Sequence, residues 1–236
     1  MTLNSAQITS AGHGEGPALV LAGPGSGKTA VIIRRIQNLI ENQIAAPSEI
    51  LAVTFSRAAA EEMSLRFKAL RCAGDEGHQI SGAHAGVSSP VFATFHSIFW
   101  NILKLSGGRG LSIITEHKKF EMLKTIAGEQ GVDYRDETEF FNALSNSIGR
   151  LKSSGSIPAE AVPDPLDRGG FIRFFRRYES EKKAQGLADF DDILLDCYNL
   201  LSTNNDVLEY WRGRFKFILV DEFQDITETR LQSLLS

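Results

Sequence analysis

The sequence contains little cysteine and no long apolar run. Its two cysteines, Cys72 and Cys197, lie far apart among 236 residues and belong to no regularly spaced set. This excludes a disulfide framework, and we expect free thiols in a cytoplasmic protein. No stretch approaches the ~20 apolar residues that span a bilayer. The N-terminus lacks the basic and then apolar order of a signal peptide. We therefore expect no membrane partner.

An excess of positive charge is also lacking. The net charge is −4 and the pI is near 5.8. These values argue against a protein that binds nucleic acid through bulk positive charge, although a local basic or stacking track stays open. Hydrophobic residues make up 42% and charged residues 23%, which is typical of a soluble globular chain. The length suffices for one or two domains with a real core.

Three short apolar runs, each followed by a helical pattern, predict an α/β fold with a parallel sheet. The predicted strands are 17–22, 50–55 and 91–95, and the predicted helices are 28–42, 57–70 and 97–105. Ser56 is suited to cap the second helix. Residues 71–90 are rich in Gly, Ala, Ser and His, and they predict a surface loop.

The strand pattern then disappears for about 100 residues. Helical spacing predicts helices at 116–129, 138–151, 171–185 and 190–201, before an apolar strand returns at 215–220. The pattern therefore predicts three parts: the first part of an α/β domain at 1–105, an all-helical insertion at 106–203 and a return segment at 204–236.

A glycine-rich loop lies between the first predicted strand and helix. Residues 22–29 read AGPGSGKT, which fits the phosphate-binding pattern G-x-x-x-x-G-K-[ST] except that Ala22 takes the first position. Glycines let the backbone N–H groups face phosphate oxygens, the lysine reaches the β- and γ-phosphates, and the threonine hydroxyl coordinates Mg²⁺. The predicted ligands are ATP and Mg²⁺, and the predicted binding residues are Ala22, Gly23, Pro24, Gly25, Ser26, Gly27, Lys28 and Thr29.

An acidic pair follows the last predicted strand. Asp221 and Glu222 stand at its C-terminal end, where ligands bind in open α/β sheets. We predict that Asp221 holds Mg²⁺ together with Thr29, and that Glu222 takes a proton from the attacking water. Lys28, Asp221 and Glu222 are thus the predicted catalytic groups.

These motifs belong to an ordered series that covers essentially the whole chain. LNSAQ (3–7) and AGPGSGKT (22–29) come first, and VTFSRAAAEEM (53–63) and TFHS (94–97) follow. LADFDDILL (187–195) and DEFQD (221–225) end the series. In this order they resemble the N-terminal half of superfamily 1 helicases of the UvrD/Rep/PcrA group. Six ordered motifs are far more specific than any one of them.

The resemblance implies a RecA-like P-loop domain whose parallel sheet is flanked by helices and which carries an inserted helical subdomain. It also implies that Gln7 reads the adenine edge, and that Gln224 and Asp225 couple the γ-phosphate to the rest of the protein. Single-stranded DNA, or a junction of single- and double-stranded DNA, is the implied partner. The implied DNA-binding residues are Thr54, Phe55, Arg57, Phe95 and His96.

The chain departs from the family pattern at several positions. Ala30 replaces a basic residue, and residues 226–230 differ from the usual continuation of DEFQD. The later motifs are absent, and with them the second RecA-like domain, whose arginines stabilise charge on the transferred phosphoryl group. We therefore expect this chain to be part of a longer protein. Alone, it should bind nucleotide but hydrolyse it very slowly.

Several functions stay open from the sequence. The first is an ATP-dependent DNA helicase of repair or replication, for which the resemblance implies 3′-to-5′ movement. The second is the motor of a RecB/AddA-like helicase-nuclease, and the third is a nucleotide-gated DNA-binding module without turnover. A P-loop kinase fits less well, because it does not explain 53–63 and 94–97. The basic helix 171–183 is interpreted as a solvated face, with duplex contact as the alternative, and the spacing of Cys72, His78 and His84 matches no common zinc site.

Overall fold

The computed structural model describes residues 3–74, 89–106 and 110–225. Most of the predicted loop, with His78 and His84, and the departures at 226–230 lie outside this range, as do the side chains of Cys72 and Asp225. Within this range, no helix is long and apolar enough to cross a membrane.

The described elements alternate between strand and helix at both ends and are mainly helical in the middle. In chain order they are α1 (Ser5–Ala11), α2 (Lys28–Glu41), β1 (Ile50–Thr54), α3 (Arg57–Gly74), β2 (Val91–Thr94), α4 (Phe95–Leu105), β3 (Ser112–Ile113), α5 (Glu116–Glu129), α6 (Glu137–Ser154), α7 (Arg168–Ala184), β4 (Leu187–Ala188), α8 (Phe190–Thr203), α9 (Asn205–Arg214) and β5 (Phe217–Val220).

The chain divides into two compact units. The α/β unit runs through Ile98 and resumes at Leu201, and the helical unit comprises Phe99–Leu200. The mixed α/β architecture, with a parallel sheet flanked by helices, confirms the predicted RecA-like fold class. The domain boundaries at 105/106 and 203/204 stay predictions.

The sheet of the α/β unit is parallel, with strand order β2-β1-β5 among the described residues. Leu51 pairs with Val91 on one side of β1 and with Ile218 on the other. Every residue of β1 is buried, because the strand has a neighbour on each side and helices cover the sheet. This arrangement brings the C-terminal ends of three distant segments to one edge.

The predicted strand at 17–22 is wrong. No strand forms there, and Leu19, Val20 and Leu21 are 66%, 48% and 87% exposed. A parallel strand needs a neighbour that accepts and donates its backbone hydrogen bonds. Among the described residues, 17–22 joins no ladder, so apolar composition alone does not make a strand there.

The core of the α/β unit forms between the sheet and two helices. Ile33, Ile36 and Leu39 lie on one face of α2 and pack with Ile50 and Ala52 of β1 and with Phe67 of α3. Burying each large apolar side chain contributes about 1.5–3 kcal/mol. The spacing of the α2 residues is the 3.6-residue period that predicted this helix.

The helical unit confirms the predicted helices with small shifts at their ends, and it also contains short strands. β3 and β4 pair in parallel through Ser112 and Leu187 and through Ile113 and Ala188, so the insertion is not wholly helical. Two residues per strand are too few to show a period of two in the sequence. The core of the unit is rich in aromatic residues, including Phe141, Phe171, Phe174 and Tyr178.

A buried ionic cluster joins three helices of this unit. Lys152 Nζ lies 2.6 Å from Asp189 Oδ2 and 2.6 Å from Asp192 Oδ1, while Lys182 Nζ lies 3.0 Å from Asp189 Oδ2 and 2.5 Å from Asp192 Oδ2. Both lysines also contact Glu179, at 2.8 and 2.7 Å. The side chains of the two lysines and Asp189 are at most 7% exposed. The DFDD run at 189–192 therefore neutralises two buried ammonium groups.

Candidate nucleotide-binding site

The glycine-rich loop turns tightly into α2. Gly25 and Gly27 have φ angles of +70° and +83°, in the left-handed region that favours glycine. Gly27 is the N-cap of α2, and no side chain caps this end of the helix. The first-turn N–H groups of a helix have no intrahelical acceptors, so they point toward the space in front of Lys28 and Thr29. The predicted binding residues 22–26 are exposed, and 27–29 are half-buried.

A helix that the sequence analysis did not predict brings Gln7 to this loop. Asn4 and Gln7 form a capping box at the start of α1: Gln7 N donates to Asn4 Oδ1 at 2.9 Å, and Asn4 N donates to Gln7 Oε1 at 2.8 Å. Gln7 Nε2 also donates to the carbonyl of Ser26 at 2.8 Å. Gln7 therefore lies against the phosphate loop, and the N-x-x-Q spacing was the available signal for the helix.

The acidic pair lies beside the first turn of α2. The backbone N–H of Asp221 donates to the carbonyl of Val53 at 2.8 Å, which extends the pairing of β5 with β1 past the end of the strand. Lys28 Nζ is 3.6 Å from Glu222 Oε1, and the Thr29 hydroxyl hydrogen-bonds to the Asp221 carboxylate. The structure thus brings four predicted site residues together from opposite ends of the chain.

The two carboxyl groups have different surroundings. Burial raises the pKa of Asp221 above its usual range, and the neighbouring Glu222 carboxylate raises it further. Asp221 is buried, whereas the side chain of Glu222 is 38% exposed. These different surroundings are compatible with the two predicted roles, Asp221 as a metal ligand and Glu222 as a base.

Glu222 has an unusual backbone conformation. Its φ angle is +52°, and a non-glycine residue in the left-handed region is uncommon and costs about 1–3 kcal/mol. Gln224 Nε2 donates to Glu222 Oε2. The turn after β5 therefore places Glu222 between the Lys28 ammonium and the Gln224 amide.

The predicted DNA-binding residues lie at the ends of β1 and β2. Thr54 and Thr94 are register partners, so Phe55 and Phe95 follow neighbouring strand ends. Phe55 is 59% exposed, whereas Phe95 is only 3% exposed and Thr54 only 2%. His96 is half-buried and Arg57 is exposed.

The burial of Phe95 and Thr54 corrects the expectation that both face a ligand. Phe95 is the first residue of α4. At this helix start the Ser97 N–H donates to the Thr94 hydroxyl at 3.2 Å, and the Thr94 N–H donates to the Ser97 hydroxyl at 2.9 Å. This local exchange fixes the helix start, and the Phe95 ring lies in the core. Of these two aromatic rings, only that of Phe55 is exposed and has a face available for stacking.

Two polar residues of α2 contact α1 and were missed by the sequence analysis. Asn38 Nδ2 donates to the carbonyl of Ala11 at 3.1 Å, and Arg35 Nη2 donates to the carbonyl of Gly14 at 2.8 Å. Arg35 Nη1 also donates to the carbonyl of His13. Their i, i+3 spacing on one helix face was the only sequence signal.

The sequence matches a known family over nearly its whole length. A model of the UvrD/REP helicase N-terminal domain matches residues 3–235. The "Putative ATP-dependent DNA helicase YjcD" of Bacillus subtilis is 36% identical over 232 residues, which cover 95% of this chain and 29% of that protein. "DNA helicase II" of Rickettsia typhi is 33% identical over 95% of this chain and 33% of its own length.

A further relative agrees with these matches. "ATP-dependent DNA helicase PcrA" of Staphylococcus aureus is 30% identical over 97% of this chain and 30% of its own length. The chain thus spans about a third of the length of the relatives it matches. The order of the motifs, the parallel sheet and these matches agree: the chain belongs to the UvrD/REP helicase family, as its N-terminal domain.

Proposed function

We propose that the chain is the ATP-binding part of a DNA-dependent ATPase and helicase that moves 3′ to 5′ on single-stranded DNA. One observation carries the proposal: Lys28 and Thr29 of the phosphate loop contact Glu222 and Asp221 at the end of β5. A phosphate anchor, a metal-binding hydroxyl, a metal-binding carboxylate and a base are the groups that phosphoryl transfer to water needs.

The nucleotide is placed by the loop and by α2. Lys28 at the start of α2 is the phosphate anchor, and residues 22–27 present backbone N–H groups to the phosphate oxygens. The Thr29 hydroxyl and the Asp221 carboxylate are hard oxygen donors that already touch each other, so they fit Mg²⁺. When bound there, Mg²⁺ neutralises charge on the β- and γ-phosphates.

Glu222 is the proposed general base. Its carboxylate is partly exposed, so water can reach it, and Gln224 holds one of its oxygens. Lys28 pairs with Glu222, and this pair must open for Lys28 to contact phosphate. Gln224 is placed to sense that change, because it contacts the same carboxylate.

Single-stranded DNA is the proposed polymer substrate. Phe55 offers an exposed aromatic face at the end of β1, and Arg57 offers a cation two residues further along. Stacking on an aromatic ring contributes about 1–3 kcal/mol per base and tolerates any sequence. His96 follows the neighbouring strand end and completes the proposed track.

A titration with a fluorescent ATP analogue tests the nucleotide site. Mg²⁺-dependent binding by the 236-residue chain is expected to weaken about 10- to 100-fold in Lys28→Ala, because a hydrogen bond to a charged group contributes about 1.5–3 kcal/mol. Lys216→Ala, which loses only an exposed ion pair with Glu49, is the matched control. Equal binding by the wild type and Lys28→Ala would contradict the proposed phosphate anchor.

Fluorescence anisotropy with labelled oligo-dT tests the DNA surface. Phe55→Ala is expected to weaken binding about 5- to 150-fold. Tyr210→Ala removes an aromatic ring of similar exposure on α9 and should leave affinity unchanged. An unchanged affinity in Phe55→Ala would refute the stacking role.

Two alternatives share this site. The motor of a RecB/AddA-like helicase-nuclease would show a nuclease domain in the longer gene product. A nucleotide-gated binding module would bind ATP without DNA-stimulated hydrolysis in the longer protein. Glu222 with a partly exposed carboxylate favours turnover, because a module without turnover has no need of a base.

A further inference from the structure

The short helix α1 cannot hold its position by itself. It has seven residues, which is well below the ~12–15 that make an isolated helix marginally stable in water. Its one buried residue is Ala11, and Ile8 is 59% exposed. The position of α1, and therefore of Gln7, must come from contacts with other elements.

Side chains of α2 supply these contacts at the C-terminal end of α1. Asn38 donates to the carbonyl of Ala11, and Arg35 donates through both terminal nitrogens to the carbonyls of His13 and Gly14. The carbonyl of Ala11, the last residue of α1, lacks an intrahelical donor, and His13 and Gly14 lie just beyond this helix end, where a cation is favourable. The planar guanidinium reaches two acceptors at once, which an ammonium group cannot do with the same geometry.

The N-terminal end of α1 is held at the phosphate loop. Gln7 Nε2 donates to Ser26, and a methyl group added at Gly27 would lie 3.0 Å from the same nitrogen. The helix is thus fixed at both ends to one continuous segment, the phosphate loop and α2. Gln7 has little freedom to shift along the loop while both attachments hold.

The remaining hydrogen-bonding capacity of Gln7 matches one base edge. A glutamine amide has two N–H donors and two oxygen lone pairs, and the contacts with Ser26 and Asn4 use one of each. One donor and one acceptor are left. Adenine presents an N7 acceptor beside an N6 donor, whereas guanine presents two acceptors at N7 and O6. A correctly placed Gln7 therefore distinguishes the two bases, and a misplaced one does not.

We propose that Arg35 and Asn38 are positioning residues for base selection: they fix α1 on α2 so that Gln7 meets adenine in register. This proposal rests on the proposed function, since it requires that ATP binds at the phosphate loop. The two residues touch neither phosphate nor base. Their loss lowers the preference for adenine without removing the phosphate site.

The test compares Mg²⁺-dependent binding of fluorescent ATP and GTP analogues by the 236-residue chain, with tripolyphosphate as a competitor that has no base. The wild type is expected to prefer ATP by about tenfold. Arg35→Met keeps an apolar stem of similar length, and it is expected to reduce that preference to less than about twofold with tripolyphosphate affinity unchanged. Asn38→Ala should have a smaller effect in the same direction, and Arg35→Lys should restore part of the preference.

Arg34→Met is the matched control, because Arg34 is exposed on the same helix and its guanidinium donates to Gln37 Oε1 at 3.5 Å, within α2 itself. An ATP preference that survives in Arg35→Met would overturn the positioning role while the proposed function stands. Loss of tripolyphosphate binding in Arg35→Met would assign Arg35 to the folding of the loop and would also overturn it. A wild type that binds neither nucleotide nor tripolyphosphate would refute the proposed function itself.

Discussion

The ammonium nitrogen of Lys28 lies 3.6 Å from Oε1 of Glu222, and their side chains are 26% and 38% exposed. An ion pair at this exposure contributes only about 0–1 kcal/mol, so it is weak enough to open for a phosphate group. Under the proposed function, the phosphate anchor Lys28 and the base Glu222 are released together when this pair opens.

Removal of the Glu222 charge should strengthen nucleotide binding. Glu222→Gln frees Lys28 from its competing partner, and the expected gain in affinity for an ATP analogue is at most about fivefold. Glu49→Gln, which breaks the 2.5 Å pair with Lys216, is the matched control and should change nothing. Weaker binding in Glu222→Gln, measured by the same titration, would show that this carboxylate helps to hold the nucleotide.

A methyl group at Gly27 should disturb the loop. Gly27→Ala places a side chain at φ +83° and 3.0 Å from Gln7 Nε2, so we expect a loss of about 1–2 kcal/mol in stability and weaker binding of ATP. Gly213→Ala in α9 meets nothing within 4 Å and should be neutral or stabilising. Urea unfolding and nucleotide titration measure the stability and the ATP affinity of both variants. Equal stability and equal affinity in Gly27→Ala and Gly213→Ala would contradict the expected strain at Gly27.

The buried cluster of the helical unit should be sensitive to the loss of either lysine. Lys152→Met leaves Asp189 and Asp192 with one ammonium group instead of two, and breaking a buried pair costs about 3–5 kcal/mol. Lys124→Met removes an exposed, solvent-screened pair with Glu137 and should leave the urea midpoint nearly unchanged. Urea unfolding followed by circular dichroism gives the midpoints of Lys152→Met and Lys124→Met. Similar midpoints for the two variants would show that the buried cluster does not stabilise the helical unit.

The same cluster should make the helical unit sensitive to acid. Burial alone would raise the pKa of Asp189, but the ammonium groups of Lys152 and Lys182 outweigh it and hold that pKa well below its usual range. The resulting stability is present above the unfolded pKa near ~3.9 and is lost as the pH falls below it toward the folded value. Burial raises the pKa of Asp191 and of Asp196, so these two groups act in the opposite direction and at higher pH.

Urea midpoints measured between about pH 5 and pH 2.5 test this expectation. The midpoint of the wild type should fall steeply below about pH 4, and that of Asp189→Asn should start lower and fall less. If the urea midpoints of the wild type and of Asp189→Asn fell in parallel with pH, protonation of Asp189 would not be the cause of the loss of stability in acid.

The sequence predicted elements well where a local pattern was sufficient. Helix α2 follows from its apolar period, and Ser56 caps α3 as predicted, since its hydroxyl accepts from Ala59 N at 3.1 Å. Helix α9 was missed although Asn204 marks its start and accepts from Val207 N at 3.2 Å. In that case a local signal existed and was overlooked.

Other features could not be predicted from local patterns. Residues 17–22 and 50–55 have the same apolar character, but one is exposed and the other forms the centre of the sheet. Phe55 and Phe95 each end a predicted strand, but one ring is exposed and the other is in the core. The difference lies in the neighbours each segment meets, which composition does not encode.

The sequence by itself predicted the chemistry of the proposed site, because Gly27, Lys28 and Thr29 fit a phosphate-binding pattern and Asp221 and Glu222 follow an apolar strand. Only the tertiary structure decided that they meet: parallel pairing of β1 with β5 carries the acidic pair to the first turn of α2. It also decided that Arg35 and Asn38 face α1, since hydrogen bonds from side chains to a distant backbone depend on how the chain folds back.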